Sequence, residues 1–252
     1  MTLQYCSDLH LEFPDNRRWL TAHPLIPKAN ILLLAGDILP FANSPAQDEF
    51  LQRLADTFEQ VYWIPGNHEY YGSDINERTG SFTEKIRSNL TLLNNTVVEI
   101  QDVRLIFTTL WSQISPDLEW RIERSLNDYF LIRHGDRKLQ AGDTNQLHAA
   151  SLAFIKAELA RPTTKKTVVV THHVPTLKNY PSMYRNSPLN QAFATELYDM
   201  IYDSTISHWI FGHHHYNRSD FLIGRTTLTN NQLGYVKNHE YRGFSLDRTI
   251  TL

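Results

Sequence analysis

The chemistry-bearing stretch is Ile64-Pro65-Gly66-Asn67-His68-Glu69-Tyr70-Tyr71, where an apolar run stops at a Pro-Gly break and polar side chains follow at once. Val61 to Ile64 has the length and β-branching of a buried strand. Gly66 permits a close backbone approach. Asn67 offers a neutral amide oxygen, and His68 an imidazole that titrates near neutrality. On its own such a loop reads as a solvated turn. The pattern recurs, however: Asp8 and His10, Asp37, His172 and His173, and Gly212–His215 each follow another apolar, strand-like run. In open α/β sheets functional groups gather where strands end, because the core fixes the strand and the loop beyond it is free to vary. The recurrence predicts one shared site.

Imidazoles, carboxylates and one amide, with no thiolate, suit Mn, Fe, Zn or Co rather than a structural zinc knot or a calcium cage. In an extended segment, period two brings positions i and i+2 to the same side, which predicts that Asp8 and His10 point together, as do His213 and His215. The donors are more than one tetrahedral ion uses. Two ions sharing a bridging carboxylate is the economical arrangement, and such a pair can clamp a phosphoryl group and lower the pKa of a bridging water. His23, His134, His148, His208 and His239 stand apart from these clusters and read as surface or supporting residues.

The elements that must position these groups follow from hydrophobic periodicity. Leu3–Cys6, Ile31–Ala35, Val61–Ile64, Thr167–Thr171 and Trp209–Phe211 read as strands, the second buried on both faces. Residues 45–59 read as an amphipathic helix, and residues 73–91 as a polar loop with a helix around Phe82 to Leu90. Thr96–Ile100 and Val103–Thr108 resemble a hairpin. Residues 111–142 are an irregular or helical insertion, and Asp143 with Gln146 suggests a capping box before a helix that Arg161-Pro162 stops. Residues 174–190 are a Pro-containing loop, Phe193 to Ile201 marks one helix, and short antiparallel strands follow Ser219.

With 252 residues, 41% of them apolar, the chain can bury a substantial core, and no repeat or low-complexity linker divides it, so one domain over 1–252 is expected. The net charge is −3 and no Lys/Arg block is present, which argues against nucleic acid or anionic membrane as partner. Cys6 is the only cysteine, so no intramolecular disulfide or thiolate cluster forms. The first residues enter a strand directly and no apolar run approaches the roughly 20 residues of a membrane span. The expectation is a reduced cytoplasmic protein.

Taken in order, Asp8-x-His10, Gly36-Asp37, Gly66-Asn67-His68-Glu69, a strand-end His172 and Gly212-His213-x-His215 resemble the motifs of the calcineurin-like metallophosphoesterases, over residues 8 to 215. The resemblance implies a four-layer α/β/β/α sandwich with a dinuclear centre at the strand ends. It implies that Asp8, His10 and His215 hold one metal, that Asn67, His172 and His213 hold the other, and that Asp37 bridges them. His68 would contact the phosphate and assist the leaving group, with Glu69 as its acidic neighbour. His173 also qualifies for the position given to His172, which directly follows the strand. His214 would face the substrate or, the favoured reading, be exposed; Cys6 would be a core residue, and Tyr70, Tyr71, Tyr184 and Arg185 are candidates to line the pocket. The cofactors implied are two divalent ions, Mn, Fe or Zn, and the substrate a small phosphate mono- or diester or a nucleotide, attacked in line by a bridging hydroxide. A nuclease of the same fold and a non-catalytic metal-binding scaffold are the alternatives. The first is disfavoured by the missing basic stripe, the second by the complete ligand set.

Overall fold

The structure, a computed structural model, describes residues 1–252. In chain order its strands begin with β1 (Thr2–Cys6), β2 (Ile31–Ala35), β3 (Gln60–Ile64), β4 (Phe82–Arg87), β5 (Leu90–Asn94), β6 (Thr96–Ile100) and β7 (Val103–Thr108). After the small hairpin of β8 (Arg133–His134) and β9 (Arg137–Lys138) come β10 (Lys166–Thr171), β11 (Ile206–Ile210), β12 (Phe221–Ile223), β13 (Thr226–Thr229) and β14 (Thr249–Thr251). The helices are α1 (Pro14–Ala22), α2 (Glu49–Thr57), α3 (Pro116–Glu123), α4 (Asp128–Leu131), α5 (Ala141–Ala160), α6 (Asn190–Phe193) and α7 (Tyr198–Asp203).

Two six-stranded sheets result, in the orders β14-β1-β2-β3-β5-β4 and β12-β13-β11-β10-β7-β6. In each, the four inner strands run parallel and both edge strands are antiparallel. Alternation along the strands explains why the sheets stack. Leu33 and Ala35 of β2 meet Leu105 and Phe107 of β7 and Val168 and Val170 of β10 in a core between the sheets. Leu32 and Leu34 point the other way, under Leu20 of α1 and Leu51 and Leu54 of α2. Likewise Ile106, Val169 and Trp209 face Ile155 of α5 and Ile201 of α7. Strands buried on both faces must be apolar at successive positions, hence the unbroken run Ile31-Leu32-Leu33-Leu34-Ala35. The layers are α/β/β/α, as expected.

Three local expectations are corrected, and one helix is added. Phe82–Leu90 is not helical: β4 and β5 form a hairpin there, and the Asn89 amide ties its tip to the end of α2 by donating to Ala55 O and Phe58 O at 2.8 Å each. The burial of β4 alternates with period two, a strand signal that its charges disguised. Helix α5 starts at Ala141 with Gln140 as cap, and Asp143 is the reciprocal partner, accepting from Gln140 N at 2.9 Å. The single helix expected over Phe193 to Ile201 is two, separated where Glu196 accepts from Thr176 Oγ1, Leu177 N and Tyr198 N. Helix α1 was not anticipated, because only Asn16 and Leu20 of it are buried.

Leu33→Ala should cost about 2–5 kcal/mol in urea unfolding, since Leu33 lies wholly buried between the sheets, whereas Leu222→Ala, at an exposed position, should cost under about 0.5 kcal/mol. Equal losses would contradict the inter-sheet core.

Candidate metal centre

Parallel strands end at a common edge, and the residues following β1, β2, β3, β10 and β11 meet there. The ladder continues past the strands: Asp8 N donates to Gly36 O, His10 N to Asp37 O and Gly212 N to His172 O, each at 2.9 Å. The convergence is not that of extended chain. Asp8, His10, Asp37, His213 and His215 all have positive φ, between 47° and 81°. This left-handed backbone is unfavourable for residues with a Cβ and persists where the surroundings enforce it. It hooks each chain so that its side chain turns back over the sheet edge. Two glycines make the crowding possible. A Cβ on Gly66 would overlap Asp37 Oδ1 and lie 2.7 Å from His172 Nε2, and one on Gly212 would lie 2.6 Å from Asp8 Oδ2.

Two donor groups share Asp37. Asp8, His10, Asp37 and His215 form one, and Asp37, His172 and His213 the other, with the donor atoms of each group within 4.8 Å of one another. Asp37 Oδ2 lies 3.7 Å from His10 Nε2 and 3.3 Å from His172 Nε2, while its Oδ1 accepts from His68 N at 2.9 Å. His215 Nε2 is 3.3 Å from Asp8 Oδ1. Asn67 Oδ1 is 3.2 Å from His172 Nε2, which places its amide oxygen at the second group.

The donor set fits a divalent cation. The outer Nδ1 atoms of three rings face oxygen acceptors: His10 toward Glu12 at 3.1 Å, His215 toward Glu240 at 2.7 Å and His172 toward Ala35 O at 2.9 Å. Such contacts fix the tautomer and turn Nε2 inward. Inward nitrogens then confront one another, with His10 Nε2 to His215 Nε2 at 2.9 Å and His172 Nε2 to His213 Nδ1 at 3.0 Å. Two lone pairs at that separation repel unless something positive lies between. Ligands about 2.0–2.1 Å from one ion are themselves about 3 Å apart, so the spacing suits coordination.

Without metal, protons take that place. Burial alone would lower His172, but Asp37 and Asp8 push it up to about 9. Burial is likewise outweighed at His215, which Asp8 and Glu240 raise to about 10. Burial, joined by neighbouring imidazoles, depresses His10, His173 and His213. Asp37 stays well below the usual carboxylate range because the charges of His172 and His68 overcome burial.

Further residues brace the donors. Glu69 is fully buried and accepts from Asp37 N at 2.9 Å, Ile38 N at 2.7 Å, Gly66 N at 2.6 Å and Trp63 Nε1 at 3.0 Å. It ties the loop after β2 to the loop after β3. Asp128 of α4 accepts from Asn67 Nδ2 at 2.8 Å and Tyr71 Oη at 2.6 Å, which leaves the Asn67 oxygen facing inward. One oxygen of Glu12 lies 3.1 Å from His10 Nδ1 and 2.8 Å from His68 Nδ1. These three residues are close enough to hold a cation of their own. Both ring N–H groups are nevertheless satisfied by that oxygen, which describes a hydrogen-bonded triad.

His68 Nε2 faces Tyr235 Oη at 3.3 Å, and its ring packs on Tyr71 with centroids 4.1 Å apart. His173 does not reach Asp37; its Nδ1 faces Thr109 O at 3.3 Å and its ring packs on His213. His214 is half-buried against Gln232 rather than exposed, because the left-handed turns on either side fold it back. Cys6 is buried in the outer core of the first sheet.

Glu12, Asp128, Tyr235 and Glu240 escaped sequence reasoning. Only Glu12 carried a signal, as the next step of Asp8-x-His10-x-Glu12. The centre opens into a cavity of about 930 Å³ whose wall includes Tyr71 and Tyr184 but neither Tyr70 nor Arg185. Tyr70 is buried, its hydroxyl donating to Arg78 O at 2.8 Å, and Arg185 faces solvent.

The model of the calcineurin-like phosphoesterase family matches residues 1–217, and the chain belongs to that family. An uncharacterized protein of Acanthamoeba polyphaga mimivirus is 34% identical over 272 residues, spanning 96% of this chain and 94% of that one. The crystal structure of a phosphopantetheinyl hydrolase from Mycobacterium tuberculosis shares the fold, with a TM-score of 0.73 at 18% identity over 99% of this chain and 95% of that one. The family is one of metal-dependent phosphoesterases, and the buried His and Asp groups are of a kind that binds metal. No helix is long and apolar enough to cross a membrane.

Because the values for His172 and His215 lie above the ordinary 6.5, both rings are expected to be protonated at pH 7 in the metal-free protein. Their ion pairs stabilise that form fully below about pH 6.5 and cease to do so as pH rises through about 9 to 10. Metal uptake at pH 7 should therefore release protons, and affinity should rise with pH. Titration calorimetry in buffers of different protonation enthalpy reads this directly; uptake without proton release would contradict the assignment. Glu69→Gln, which leaves one oxygen to serve the donors that two oxygens now accept from, should cost about 3–5 kcal/mol in urea unfolding.

Proposed function

We propose that the protein is a dinuclear metal-dependent phosphoesterase acting on small phosphate mono- or diesters, with residues 1–252 as one domain. Asp8, His10 and His215 would hold one ion, Asn67, His172 and His213 the other, and Asp37 would belong to both. The observation that carries this reading is the position of Asp37 Oδ2 between His10 and His172, which gives two donor groups a common carboxylate. When bound, such ions supply electrophilic charge and lower the pKa of an attacking water. Mn, Fe and Zn suit the nitrogen and oxygen donors.

The chain's own residues do the rest. Glu12 holds His68 Nδ1–H, so Nε2 is the ring atom presented to the cavity beside Tyr235. Burial would lower His68, but Asp37 and Glu12 raise it, so the ring is biased toward the protonated form that can donate to a leaving oxygen. Tyr71 and Asp128 limit how the ring and Asn67 can move. No serine or cysteine stands in an activated setting, which favours direct attack by water without a covalent enzyme intermediate. A His68 so arranged also disfavours a scaffold that has lost its chemistry. A reducing cytoplasmic setting is part of the same reading, supported by the lone buried thiol.

Purified protein should bind Mn and hydrolyse p-nitrophenyl phosphate or its bis ester. His68→Ala should slow turnover about a hundredfold or more with metal content unchanged, whereas Asp37→Asn should lower the occupancy of both ions. Equal metal loss in the two variants would overturn the assignment.

A further inference from the structure

The cavity wall carries positive charge that no carboxylate of the protein pairs with. Arg218 and Arg242 both line it. Neither has a carboxylate within ion-pair distance; other arginines without one, such as Arg53 and Arg225, lie on the exposed surface and do not line the cavity. Arg218 is half-buried, and its Nε is shut off from solvent without a hydrogen-bond partner. Its guanidinium lies 5.0 Å from the Tyr216 ring centroid, which fixes the position of the charge.

The acidic groups of the same wall do not serve it. Asp37 faces the imidazoles of the centre, Asp128 accepts from Asn67 and Tyr71, and Glu240 accepts from His215, Tyr235 N and Asn238. An unpaired guanidinium on a cavity wall is a ready partner for an anion, which its forked geometry fits.

We propose that the substrate carries a second anionic group, a phosphate or a carboxylate, which Arg218 binds, with Arg242 at the rim, while the scissile phosphate lies at the metal centre. This rests on the phosphoesterase reading and narrows it to esters with two anionic groups. Arg218 then sets specificity through the part of the substrate that does not react, and its contribution appears only with substrates that bear the second anion.

The test compares matched esters on the Mn-loaded protein. Adenosine 3′,5′-bisphosphate is set against adenosine 3′-monophosphate and adenosine 5′-monophosphate, and 3-phosphoglycerate against glycerol 3-phosphate. The doubly anionic member of at least one set should have the higher kcat/KM by about tenfold or more, and the set that shows it tells phosphate from carboxylate. Arg218→Gln should bring that ratio close to one while changing kcat/KM for the singly anionic ester less than about twofold, and Arg218→Lys should keep part of the preference. Arg242→Gln, at an exposed position, should reduce the ratio without disturbing the fold. A ratio near one in the wild type, or a loss in Arg218→Gln equal for both members of a set, would overturn the inference. If p-nitrophenyl phosphate is hydrolysed but none of these esters is, this inference fails and the phosphoesterase reading stands; if p-nitrophenyl phosphate and its bis ester are also untouched, both fail.

Discussion

One carboxylate oxygen, Oδ2 of Asp37, stands within 3.7 Å of imidazole nitrogens from two different loops, and the surrounding structure keeps it there. A buried carboxylate needs neighbours of opposite charge and filled hydrogen bonds. His172 and His68 supply the first, and His68 N, bonded to Oδ1, contributes to the second. Glu69 then fixes the backbone on both sides by accepting from Asp37 N and Gly66 N. Gly66 lets that backbone approach the carboxylate more closely than any side chain would allow. The sheets have a related part. Parallel order brings the ends of β1, β2, β3, β10 and β11 to one edge, and the core between the sheets fixes the distance across which His172 and Asp37 meet.

Much of this was legible in the sequence for a physical reason. A strand buried on both faces must be apolar at every position, so Ile31–Ala35 announces itself, and the abrupt change to Gly36-Asp37 marks where the core ends. The grouping of donors followed from the repetition of that change. The mode of convergence did not. Period-two reasoning assumes extended backbone, whereas Asp8, His10, His213 and His215 are left-handed. Backbone strain of this kind is imposed by distant contacts, such as Asp8 N to Gly36 O, and leaves no local signature. Glu240 and Tyr235 were invisible for a similar reason: their chain segment has no strand to advertise it, and tertiary packing alone brings it to His215 and His68. The helix expected near Phe82 failed because charged residues on a half-exposed hairpin mimic a polar helix.

The site separates tasks by layer. Nitrogen and oxygen donors lie deepest, largely without access to solvent. Around them Glu12, Glu240, Ala35 O and Asp128 orient His10, His215, His172 and Asn67 through their outer atoms, so these inward lone pairs are set before any ligand arrives. Glu12 joins the layers, since the oxygen that orients His10 also orients His68. Beyond them lies the cavity wall, built from the insertion around Leu126 to Asp128, the loop from Tyr180 to Asn190 and the segment after His215. Loops of this kind vary without disturbing the donors, and so the wall is where substrate selection belongs.

The account depends on two cations meeting at Asp37. Anomalous diffraction from crystals of the Mn-loaded protein tests this most directly. Two peaks are expected about 3.5–4 Å apart, one beside Asp8, His10 and His215 and the other beside Asn67, His172 and His213, with Asp37 between them. A single peak at full occupancy, or a pair lying away from Asp37, would contradict it.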